Sequence, residues 1–109
     1  MNLKAIDMME LSQPQLFQLL SIRSAVGLEI KGLKHSRGSV YAHAKQLFGI
    51  KGSRETVYTW LKEMAELQKD LRKYTFMYDE GVRTGDRQMV MDAEDAIPSI
   101  RDAIEGMIQ

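Results

Sequence analysis

The sequence predicts an all-α protein: a small helical bundle with a helix-turn-helix-like corner, followed by a C-terminal antiparallel helical hairpin. Three observations carry that expectation. Apolar residues recur three and four positions apart through most of the chain, the period of one face of a helix. Alternation of apolar and polar residues, the mark of a half-buried strand, does not persist beyond four residues. Proline occurs only at Pro14 and Pro98, so little interrupts the helical runs.

The first helix is expected from about Gln13 to Lys31. Ser12-Gln-Pro-Gln15 has the form of a capping box, in which a Ser hydroxyl and a Gln side chain satisfy backbone groups that the first turn leaves unpaired. Proline is tolerated in that turn. Leu16, Leu19, Leu20, Arg23, Val26 and Ile30 mark its inward face, and Gly32 terminates it. Gly32 to Ser39 reads as a polar loop. Ser39 is placed to cap a short helix from Val40 to Phe48, with Val40, Ala44, Leu47 and Phe48 inward and Gly49 as a left-handed stop. After a turn at Ile50 to Ser53, a third helix begins near Arg54 with Val57, Trp60, Leu61 and Met64 at core spacing.

That helix should continue to about Val82, because Trp60, Met64, Leu67, Leu71, Tyr74 and Tyr78 form a heptad-like seam. Arg83 to Asp86 is a turn. Ala93, Ile97, Ile100, Ile104 and Met107 repeat the seam, and Pro98 should kink this last helix or start a separate one. Two seams joined by a short turn predict a hairpin that closes on itself or on a second chain. For a homodimer the expected interface is Leu67, Leu71, Tyr74, Tyr78, Ile97, Ile100 and Ile104.

A chain of 109 residues fits a single domain, residues 1–109. Within it, residues 1–62 form a basic helical part and residues 63–109 an acidic hairpin. The net charge is zero, but Met1 to Ala65 holds nine Lys or Arg against five Asp or Glu, whereas Glu66 to Gln109 holds six against ten. Such polarity suits an anionic partner, head-to-tail self-association, or an acidic segment that shields a basic face. The absence of cysteine removes disulfides, thiolate metal sites and thiol nucleophiles, and accords with a reducing compartment. No apolar run approaches the roughly 18 residues of a membrane span, and Met1 to Glu10 lacks the pattern of a signal peptide, so the expected location is the cytoplasm.

Catalysis finds no support. His35 and His43 lack a carboxylate pair at ligand spacing, so no metal is expected, and no phosphate-binding loop of the nucleotide-hydrolysing kind is present. The expectation is a binding protein without enzymatic activity or cofactor. Lys34-His-Ser-Arg-Gly-Ser39, a basic loop that feeds a helix N-terminus, has the chemistry to seat a phosphate or sulfate on backbone donors and Arg37.

Residues 44–64 resemble the helix-turn-helix of transposase-type and repressor-type DNA-binding proteins. The resemblance rests on Ala44, Gly49-Ile50, Ser53 and Thr56-Val57-Tyr58-Thr59-Trp60-Leu61, with a turn about two residues longer because of Lys51 and Gly52. It implies that the second helix offers Arg54, Glu55, Tyr58, Thr59 and Lys62 to a major groove. Arg54 would read a guanine edge, while Lys45, Lys51 and Lys62 neutralise phosphates; the basic region expected to bind DNA also includes Lys34 and Arg37. Residues 28–52 also look like a segment of short bacteriophage proteins. That likeness implies action in a bacterial host cytoplasm and gives the rival expectation, a module or inhibitor that binds a host protein through the hairpin.

Overall fold

The computed structural model describes residues 8–32 and 39–108, in four helices with no strand among the described residues. They are α1 (Gln13–Ile30), α2 (Val40–Phe48), α3 (Arg54–Thr84) and α4 (Arg87–Ile108).

Each start is fixed by a local cap. Ser12 and Gln15 exchange hydrogen bonds at the head of α1, with the Gln15 amide 3.3 Å from the Ser12 hydroxyl and the Ser12 amide 3.0 Å from the Gln15 side chain. Ser39 accepts from the Ala42 amide at 3.3 Å, Ser53 from the Thr56 amide at 3.2 Å, and Asp86 from the Met89 amide at 3.2 Å. Gly49 ends α2 at φ 67°, a left-handed conformation that costs an L side chain strain. Most of the loop expected from Gly32 to Ser39 lies outside the described residues.

The chain divides into two compact units. The first, residues 1–7 and 11–65, contains α1, α2 and the start of α3. Its core is apolar: Leu11, Leu16, Leu19, Ile22 and Val26 meet a set from α2 and α3 that includes Ala44, Leu47, Phe48, Val57, Leu61 and Met64. Each enclosed leucine or valine stabilises the unit by roughly 1.5–3 kcal/mol relative to exposure. The inward face of α1 is turned from the expected one. Ile22 is buried and Arg23 half-buried, because the apolar residue of that pair takes the core, whereas Ile30, in the last turn, is 37% exposed.

The second unit, residues 8–10 and 66–109, is the α3–α4 hairpin. The helices close at Gly81, where an added Cβ would lie 2.8 Å from Val90 Cγ2 and 3.1 Å from the Asp86 carbonyl oxygen. Leu71, Ala93 and Ile104 are enclosed, and so is Gln68, whose side-chain amide donates to the Met8 carbonyl at 2.9 Å. Along α3 the buried positions are Val57, Leu61, Met64, Ala65, Gln68, Leu71 and Gly81; Trp60, Leu67 and Tyr74 flank them half-buried. Pro98 lies within α4, which continues through it, so no separate last helix begins there. Pro98 is exposed, and its missing N–H removes one bond from the ladder of the helix.

Candidate nucleic-acid interface

The corner between α2 and α3 is organised by Tyr41. Its ring carries Lys45 Nζ and Arg54 Cζ, each 5.0 Å from the centroid, a spacing at which a cation is attracted to the ring face. The Tyr41 hydroxyl donates to the Gly52 carbonyl and accepts from Lys45 Nζ at 3.2 Å. One phenol thereby fixes the first turn of α2, the turn before α3, and two cations. Lys51 is exposed on that same turn. Gly52, at φ 123° with Thr56 Cγ2 2.9 Å from where a Cβ would stand, leaves no room for a side chain there.

Glu29, near the end of α1, completes the corner. Its carboxylate accepts from the Ser39 hydroxyl at 3.1 Å and from the amides of Val40 and Tyr41, and it lies 3.6 Å from Arg54 Nε. The Glu29 side chain is 9% exposed and that of Arg54 51%. Burial pushes the Glu29 carboxyl up, but the hydrogen bonds from Val40, Ser39, Tyr41 and Arg54 outweigh it and hold the group below its ordinary value. An internal carboxylate thus occupies the α2 N-terminus, where the sequence reads a seat for phosphate. Lys45, Lys51 and Arg54 gather at the same corner.

Not all the residues expected to contact DNA share this surface. Lys34 and Arg37 lie outside the described residues. Lys45, Lys51 and Arg54 come together at the corner. Glu55 and Thr59 instead line a groove of about 610 Å³ between α1 and α3, opposite Arg23 of α1 and Lys31 at its C-cap. Tyr58 forms its floor, half-buried, with its ring 3.0 Å from where a Cβ on Gly27 would stand. Lys62 is exposed further along α3. Tyr41 and Glu29 are the residues that sequence reasoning missed. The Tyr41–Lys45 pairing was visible as an i, i+4 spacing, whereas Glu29 acts across ten to twelve residues and leaves no local signal.

The residues expected at an oligomer interface are also partly committed. Leu71 and Ile104 are completely enclosed within one chain, and Leu67, Tyr74, Ile97 and Ile100 are half-buried. Tyr78 is 37% exposed. Among the described residues no three His, Cys, Asp or Glu gather to hold a metal ion, and no helix is long and apolar enough to cross a membrane. No protein-family model, curated protein or solved structure matches the chain.

Proposed function

We propose that this chain is a small DNA-binding regulatory protein that acts by contact rather than catalysis, through the α2–α3 corner. One observation carries the reading: Tyr41 holds Lys45 and Arg54 on a single ring beside exposed Lys51, directly ahead of the helix that the sequence likens to a recognition helix. Cations held in place lose less side-chain freedom on binding, so more of their attraction to phosphate appears as affinity. Glu29 orients the Arg54 guanidinium without covering it, since half of that side chain remains exposed. The cytoplasm, where DNA is accessible, is the location that goes with this function.

Titration of a labelled random-sequence duplex, followed by fluorescence anisotropy across about 50 to 200 mM salt, tests the proposal. Each phosphate contact contributes about 0.9 to the slope of log affinity against log salt. Lys45→Ala, Lys51→Ala and Arg54→Ala should each reduce that slope by about one. No binding at low salt, or slopes that the three substitutions leave alone, would rule the reading out. A second reading, docking of the hairpin on a host protein, is favoured by Phe76, Val82 and Met91, which are 66%, 60% and 57% exposed. Apolar docking through those side chains would be insensitive to the same salt range.

A further inference from the structure

The α1–α3 groove of the first unit combines features that the proposed DNA contact does not use. Arg23, Gly27 and Lys31 follow one another at intervals of four along α1, so they share a face, with the two cations about 12 Å apart along the helix. Gly27 lets the Tyr58 ring pack close against α1. The lips are apolar, with Leu28 49% and Ile30 37% exposed, and Glu55 stands on the α3 wall. Phosphate would meet that carboxylate unfavourably and has nothing to cover Leu28 and Ile30. An amphipathic helix with acidic residues fits both.

The chain carries such a helix face. Gln88, Asp92, Asp95, Ser99 and Asp102 are all exposed on α4 at intervals of four, three, four and three, with Met91 exposed beside Asp92. Asp95 and Asp102 lie about 10.5 Å apart along the helix, close to the Arg23–Lys31 separation, and Arg101 beside Asp102 offers a countercharge to Glu55. The charge of whole units agrees: the unit containing the groove has nine basic and four acidic residues, and the unit containing α4 has six and eleven.

We propose that the α1–α3 groove seats the aspartate-bearing face of α4 from a second copy of this chain, so that copies associate head to tail. The two surfaces are different, so each contact leaves one groove and one acidic face free. Association is therefore open-ended unless the rotation happens to close a ring.

Sedimentation velocity of the full chain over a concentration series, at low salt and near 1 M, is the test, since the Debye length falls to about 3 Å at the higher value. The weight-average mass should exceed the 12.5 kDa of one chain at low salt, rise with concentration, and return towards 12.5 kDa at high salt. The double variants Arg23→Glu/Lys31→Glu and Asp95→Lys/Asp102→Lys should each weaken association by at least about tenfold, the scale of two exposed pairs converted from attraction to repulsion. Mixed together they should associate again, because every groove then meets a face of opposite charge. Asp95 and Asp102 are exposed, so that variant keeps its fold even if the groove variant, checked by circular dichroism, does not. A single-chain mass at every low-salt concentration overturns the proposal. So do assemblies that neither reversal weakens, a mixture that stays monomeric, or a groove reversal that reduces binding to a duplex while leaving the mass unchanged.

Discussion

Glu29→Ala is the substitution whose consequence the structure defines most closely. The carboxylate accepts from Ser39, Val40 and Tyr41 at the head of α2 and lies 3.6 Å from Arg54. Loss of an N-terminal cap costs about 0.5–2 kcal/mol, and hydrogen bonds to a charged group are worth about 1.5–3 kcal/mol in total effect when removed. The ion pair adds little, because Arg54 is half in water. Together these give about 2–5 kcal/mol for Glu29→Ala, and about 1 kcal/mol for Glu29→Gln, which keeps an acceptor but loses the charge. For a domain of this size 1 kcal/mol moves the midpoint by about 4–8 °C, so Glu29→Ala should lower it by about 10 °C or more. The single tryptophan supplies the assay: Trp60 packs 5.8 Å from Phe48 in the same unit, so its fluorescence follows the unfolding of that unit. Acid provides a second readout. The folded carboxyl titrates below its ordinary 4.5, so its stabilisation is complete above that value and is lost as pH falls through the lower folded value. Glu29→Gln should flatten that acid limb. Equal midpoints for wild type and Glu29→Ala near neutral pH, or an acid limb that Glu29→Gln leaves intact, would refute the capping role.

Three further substitutions probe the hairpin. Gly81→Ala should destabilise it by about 1–3 kcal/mol despite the gain of up to about 1 kcal/mol in helix propensity, because the new methyl group meets Val90, Met89 and the Asp86 carbonyl; thermal melts at 222 nm would register the loss. Pro98→Ala should do the opposite, raising the midpoint by restoring a backbone donor in the middle of α4, by up to about 3 kcal/mol. Gln68→Leu keeps the bulk but removes the donor to the Met8 carbonyl, and a loss of about 1–3 kcal/mol in urea denaturation is the expected outcome.

The extent to which these features were legible in the sequence follows the distance over which each is determined. α2 was expected from Val40 to Phe48 and occupies those residues, because a serine cap and a left-handed glycine define its ends within a few residues. The hairpin followed from the apolar period of its two helices and their short turn. The inward face of α3 was less legible. Trp60, Leu67 and Tyr74 drew the expected seam to one side, while Gln68, a core residue, escaped a count of apolar positions. Its burial depends on a carbonyl sixty residues away, which no periodicity encodes. Pro98 was read as a break because its intrinsic cost is local, whereas the helix survives through packing on both sides of it. At the candidate interface, the cations were legible as charge, but their grouping by Tyr41 and Glu29 depends on the approach of α1 and α2.

Besides the short excursion of residues 8–10, the chain passes from the first unit to the second at Ala65 and Glu66, inside α3 rather than in a linker. A helix is slow to nucleate and quick to extend, because fixing the first turn orders several residues for one hydrogen bond. One nucleation event therefore serves both units, and whichever half of α3 orders first offers the other a growing end. Cleavage at the boundary would leave each fragment to nucleate its part of the helix alone, with a fresh set of unpaired amides or carbonyls at the cut. The kinetics of folding should consequently couple the units: a substitution that slows the first to form will also delay the second.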